Sequence, residues 1–263
     1  MNAEKKKELE EMRRICQPEA NLKAAPAADR LVYRKIGFLF TRLLVKTNVT
    51  PNQITWFWGL SMIFFSLLFV LKDPIFYVIG AVGWIVSFSL DNTDGEIARF
   101  KKLTSKRGLF LDMINHSVTL PTLFFCIGIG VYRTSGYTID GFYGVLLGFV
   151  AGLGMLLVMI APELYNGVGP EGDLRRGESQ GVEGELFGST GMYIKIRDLN
   201  PLTFLNMFIV LLAFAIVNFV FEYFDIGFDL FWMHSLMALF LFGYAVGYAV
   251  AFCERVATLY RRL

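Results

Sequence analysis

The chain is predicted to fold as an all-α integral membrane protein, with six transmembrane helices preceded by an amphipathic interfacial helix. Three observations predict this class. Of the 263 residues, 55% are hydrophobic and mean hydropathy is +0.50, too apolar for a soluble domain of this size. Six apolar stretches free of Asp, Glu, Lys and Arg run over 53–71, 74–90, 113–132, 141–161, 201–221 and 230–253. Each approaches the ~20 residues that carry a helix across a hydrocarbon core of about 30 Å. Finally, all 25 Lys and Arg except Lys72 and Arg133 fall in the N-terminal segment, 99–107, 163–200 or the C-terminus. Six crossings put these segments on one side, which the positive-inside rule makes cytoplasmic.

Taken in order, residues 1–28 form a polar cytoplasmic segment, helical over about the first twenty. The first 48 residues are charged and lack an early apolar core, so no signal peptide is expected. Over 29–48, Leu31, Val32, Ile36, Leu39, Phe40 and Leu43 supply an oily side, and Arg34, Lys35, Arg42 and Lys46 a charged one. That pattern predicts a helix on the inner leaflet. Residues 49–255 make the six-helix membrane domain, opened by Thr50 as cap and Pro51 in the first turn. The stretch 74–90 is long enough to cross only if it continues into the polar residues after it. The 163–200 segment is Gly-rich and predicted to be a cytoplasmic loop, either a lid or a linker. Its Arg175 and Arg176 are candidates to meet an anionic acceptor. Residues 256–263 are a basic cytoplasmic tail. Cys16, Cys126 and Cys253 are odd in number and far apart, so neither disulfides nor a zinc site is expected. Gly144, Gly148 and Gly152, like Gly243, Gly247 and Ala251, form small-residue faces suited to close helix packing within the bundle or between copies.

The chemistry lies between 91 and 116. Asp91, Asp94 and Ala98 share one helical face, and Gly108, Asp112 and His116 share another. Charge at a bilayer interface is costly and usually functional. Two such faces meeting would make a carboxylate cage suited to hard divalent cations. The plainer alternative has these acids capping helices or pairing with Lys101, Lys102, Lys106 and Arg107. His234 has no such context and carries no role.

The run D-x-x-D-G-x-x-A-R, eight residues, then G-x-x-x-D-x-x-x-H resembles the signature of the CDP-alcohol phosphotransferase family. The family has Asp at the last position, where this chain has His116. Thr50-Pro51-Asn52-Gln53-Ile54-Thr55 resembles a T-P-N-x-x-T run that opens the first membrane helix in many members. The resemblance implies two divalent metal ions, Mg or Mn with Zn less favoured, held by Asp91, Asp94, Asp112 and His116. It implies a nucleotide pocket of Asn52, Asp91, Gly95, Ala98, Arg99, Ser105 and Gly108. It makes His116 the catalytic base in place of the family's Asp. An imidazole can take a proton or ligate a metal, and it moves metal preference from Mg²⁺ towards Mn²⁺ or Zn²⁺.

The expected function is transfer of a substituted phosphoryl group from a CMP-activated donor to a hydroxyl acceptor, with release of CMP. The donor would be a CDP-alcohol or a CMP-phosphonate, and the setting lipid or head-group biosynthesis. The expected partners are that donor, a lipid or small polar alcohol, the bilayer and a second copy in a homodimer; no nucleic acid is expected. Both termini and the active site would be cytoplasmic, in a prokaryotic inner membrane ahead of the endoplasmic reticulum. Two other classes compete. One is a non-catalytic cytidine-nucleotide-binding membrane protein that has lost the family's base. The other is a channel or transporter, disfavoured because the charges sit at one interface and not at the midplane.

Overall fold

A computed structural model describes residues 3–19, 25–168, 200–227 and 235–261. These are helical, with no strand among the described residues. The helices are α1 (Ala3–Cys16), α2 (Arg34–Leu44, entered through a π-helical turn at Asp29–Tyr33), α3 (Pro51–Leu68) and α4 (Ile75–Phe100). They continue as α5 (Lys106–Thr134), α6 (Ile139–Val168), α7 (Phe204–Tyr223) and α8 (Leu236–Tyr260). Five of them are long and apolar enough to cross a membrane: α4 and α5 whole, α6 over Ile139–Tyr165, α7 over Asn206–Tyr223, and α8. The expected first crossing forms as α3, but its opening turn of Pro51, Asn52 and Gln53 is polar, and it is not among the five.

Local sequence explains the helix ends around the signature. Thr50 and Gln53 cap α3 reciprocally: the Gln53 amide donates to Thr50 Oγ1 at 3.4 Å and the Thr50 amide to Gln53 Oε1 at 2.9 Å. The stretch from 74 does continue through Asp91 and Asp94, as α4, to Phe100. It stops where Lys102 takes φ 57°, with Leu103 N–H bonded to Ala98 C=O at 2.8 Å and Lys102 N–H to Arg99 C=O at 3.3 Å. This is a Schellman closure with lysine where glycine is usual. Ser105 then caps α5, its Oγ accepting from the Gly108 amide at 3.0 Å.

The described chain divides into two compact units, Met1–Phe65 with Ala81–Thr119, and Ser66–Gly80 with Leu120–Leu263. In the second, the glycine face of α6 packs on α5. A Cβ at Gly128 would lie 2.6 Å from the Gly144 carbonyl oxygen, one at Gly148 would strike the Phe124 carbonyl, and one at Gly152 would lie 3.1 Å from Pro121. Phe124, Phe240, Tyr244 and Tyr248 make an aromatic core beside it.

The first unit contains the signature. Its α2 packs with Gly37, Phe38 and Thr41, together with Tyr33 of the preceding turn, while Leu31, Leu39 and Leu43 of the oily side point outward. The N-terminal segment is more engaged than its polar sequence suggests, with Cys16 and Gln17 buried. Burial, with Glu96 nearby, pushes the Cys16 thiol up to about 11, which leaves it a neutral packing group at physiological pH.

Contact between α2 and α4 depends on Gly37, where a Cβ would come within 2.6 Å of the Ser89 carbonyl oxygen. Gly37→Val is therefore expected to destabilise the protein by about 1–3 kcal/mol through overpacking. Thermal unfolding in detergent checks this, and an unchanged midpoint would mean that α2 does not depend on the close approach.

Candidate metal and nucleotide site

Three helices bring the signature together. Asp91, Asp94, Gly95, Ala98 and Arg99 lie along the last three turns of α4, and Gly108, Asp112 and His116 along the first three of α5. The first turns of α3 add Asn52, Thr55 and Trp58. The approach to α3 is fixed by Lys101, whose Nζ donates to the Thr47 and Val49 carbonyls at 2.6 and 2.9 Å.

Asp91, Asp112 and His116 converge. His116 Nε2 lies 3.6 Å from Asp91 Oδ2 and 3.5 Å from Asp112 Oδ1, and the ligand atoms of all three lie within 4.8 Å of one another. Asp112 Oδ1 is buried and has no hydrogen-bond partner among the described residues. A buried carboxyl oxygen without a donor calls for a cation or a water. Two carboxyl groups and an imidazole form a donor set that fits a divalent metal, with the imidazole favouring a borderline one.

Asp94 stands apart from that trio. Its Oδ2 accepts from Thr55 Oγ1 at 2.6 Å and from Trp58 Nε1 at 3.0 Å. Of the four expected ligands, three thus share one point, and the fourth is oriented by α3. Next to His116, Asn115 donates from Nδ2 to the Thr55 carbonyl at 2.7 Å and lies against Gly59, whose Cβ would meet it at 2.7 Å.

The expected nucleotide residues form two groups. Asn52 Oδ1 and Ser105 Oγ lie 3.2 and 3.3 Å from the point a Gly108 Cβ would occupy. Arg99 folds back over Gly95, its Nη1 3.3 Å from the corresponding point there, and Ala98 is half-buried. Arg175, Arg176 and His234 lie outside the described residues.

Trp58, Asn115 and Glu96 were not anticipated. Trp58 is fully buried, and its ring centroid lies 4.9 Å from that of His116, with Phe88 at 6.0 Å. The available signal was spacing, since Trp58 follows Thr55 by three residues and shares its helical face. Glu96 reads in sequence as one more charge in a charged run, but it is fully buried.

Residues 48–166 match the profile of the CDP-alcohol phosphatidyltransferase family. That match spans 119 of the 263 residues. It takes in the T-P-N run, both halves of the signature and the Asp-Asp-His trio. The family transfers a phosphoryl group from a CDP-alcohol donor to an alcohol acceptor in the membrane and uses divalent metals. No curated protein matches the chain.

Trp58 touches two of the signature side chains, and its roles can be separated. Trp58→Phe keeps an aromatic ring beside His116 but removes the donor to Asp94. Mn²⁺ affinity, measured by titration calorimetry, is expected to fall about tenfold, as for other lost partners of ligand groups. An unchanged affinity would place Asp94 outside the metal site.

Proposed function

We propose that the chain is a metal-dependent membrane transferase that moves a substituted phosphoryl group from a CMP-activated donor to a hydroxyl acceptor and releases CMP. The observation that carries this reading is the convergence of Asp91, Asp112 and His116 within the family segment. When bound, divalent ions at such a site offset charge on the donor's diphosphate and on the leaving CMP. Asp91, Asp94 and Asp112 are the side chains assigned to hold them. Asn52, Ser105 and Gly108 on one side, and Gly95, Ala98 and Arg99 on the other, are assigned to the nucleotide, the small residues leaving room at the backbone.

His116 is assigned the proton. Its Nε2 faces both Asp91 and Asp112, so a proton taken there from the acceptor hydroxyl is stabilised by two carboxyl neighbours. One nitrogen cannot bind a cation and accept a proton at once, and the flanking acids favour the base role. Balanced as a reaction, the acceptor oxygen bonds to the donor phosphorus, the phosphorus–oxygen bond to CMP breaks, and the acceptor proton moves to Nε2.

The decisive experiment incubates purified protein with Mg²⁺ or Mn²⁺ and CDP-diacylglycerol, CDP-choline, CDP-ethanolamine or a CMP-phosphonate, and measures CMP release with and without an added alcohol. Asp91→Asn, Asp94→Asn and Asp112→Asn are each expected to abolish turnover while the protein stays folded. His116→Ala is expected to lose about 10²–10⁴-fold in rate yet retain donor and metal binding. His116→Asp should keep part of the activity and move metal preference towards Mg²⁺. Full activity in any two of the Asn variants would sink the metal assignment. Loss of metal binding in His116→Ala would make the imidazole a ligand. Nucleotide binding without CMP release from any donor would favour the binding-protein reading.

For topology, we propose that α3 makes a sixth crossing, so that both termini and the site share the basic, cytoplasmic side, with α2 on the inner leaflet and the chain paired in a dimer. Single cysteines at Lys101 and Lys106 should then resist a membrane-impermeant label on intact cells, while cysteines at Arg133 and Asp225 should react. Labelling of Lys101 from outside would reverse the orientation.

A further inference from the structure

The signature carries a fourth carboxyl group, on α4, that the proposed chemistry does not use. Glu96 is fully buried, and its two oxygens accept hydrogen bonds of 2.6 Å each from Gln17 Nε2 and Thr41 Oγ1. Gln17 Nε2 also donates to the Arg34 carbonyl at 3.0 Å, so one amide joins the end of α1, the start of α2 and α4. Two residues beyond Asp94, Glu96 lies roughly 200° round the helix, away from the aspartates. Arg99, nearly one turn further on, extends the same contact by donating from Nε to the Cys16 carbonyl at 2.9 Å. That bond leaves Nη1 and Nη2 over Gly95, 3.3 and 3.8 Å from where its Cβ would stand.

We propose that Glu96 is a positioning residue: through Gln17 and Thr41 it docks the N-terminal segment on α4, and the segment's Cys16 carbonyl holds Arg99 ready for an anionic phosphate of the donor. The donor half of this inference rests on the transferase reading; the docking half does not. An arginine already held in place loses less side-chain freedom on binding an anion. A polar N-terminal segment outside the family-matched residues thereby contributes to a site within them.

The test uses the full chain in detergent, with Glu96→Ala and Glu96→Gln made alone and combined with Arg99→Ala. Alone, Glu96→Ala is expected to raise the donor KM about tenfold, the scale of one or two lost hydrogen bonds, with kcat within about twofold. Glu96→Gln should recover most of this, because its amide still accepts from Gln17 and bonds to Thr41. In the Arg99→Ala background Glu96→Ala should add almost nothing, the mark of two residues acting as one unit. Additive effects, or a loss confined to kcat, would overturn the proposal.

Docking is read separately at Cys16, which is fully buried. Its alkylation by a maleimide, located by peptide mapping, is expected to accelerate about tenfold or more in Glu96→Ala, while Cys126 does not change. Unchanged Cys16 labelling overturns the proposal. Unmasking of Cys16 in a chain whose wild type releases no CMP from any donor sinks the transferase reading and supports the docking half alone. Should Glu96→Ala fail to fold, Thr41→Val removes one donor and carries the same measurements with smaller effects.

Discussion

The carboxyl groups of α4 have to be satisfied from within the protein, and that requirement organises the unit that carries the site. Away from water an unpaired carboxyl costs several kcal/mol or more, so each must find donors on other segments. Asp94 takes Thr55 and Trp58 from α3. Glu96 takes Gln17 from beyond α1 and Thr41 from α2. Asp29 sits at the same α2 contact, accepting from Arg34 at 2.6 Å and from Asn92 at 3.4 Å. Because Asp94 and Glu96 face nearly opposite ways, α4 is gripped from two sides and its rotation is set. Asp91, on the same helix, then faces Asp112 and His116.

Periodic and local features were legible in the sequence. Hydropathy located the five helices that are long and apolar enough to cross a membrane, the Thr50–Pro51 start was visible from capping chemistry, and the continuation of 74–90 through Asp91 followed from length alone. The signature spacing anticipated that Asp91, Asp112 and His116 would meet, since i, i+4 residues on two facing helices have few other ways to pack. Asp94 reads like its neighbours in sequence, yet its donors lie 39 and 36 residues earlier, on α3. Glu96 is the extreme case, with partners 79 and 55 residues away. No window along the chain reports such pairings, and a Glu in a charged run ordinarily faces solvent. Hydropathy did not report which side of α2 packs on the protein: Leu39 and Leu43 point outward, while Phe38 is buried beside Gly37 and Thr41, which score as weakly apolar or polar.

His116 differs from the family pattern in shape as well as charge. Its imidazole lies 4.9 Å from the Trp58 ring and 6.0 Å from Phe88, with Nε2 reaching out to two acids. A carboxyl group at the same Cα is shorter and would place negative charge nearer to two aromatic rings. A planar ring instead offers an apolar body to the aromatics and a polar tip to the acids. The surroundings of position 116 are therefore matched to histidine in this chain.

That match bears on the charge balance of the whole site. With aspartate at 116, four carboxyl groups would crowd the ends of two helices, and their mutual repulsion would have to be offset by bound cations. Histidine removes one negative charge and supplies a group that can carry a positive one. The site then needs less cationic compensation to remain assembled, which fits Asp91, Asp112 and His116 packing together while Asp94 is held by neutral donors. A single replacement in the signature thus alters the charge balance where Asp91, Asp112 and position 116 meet.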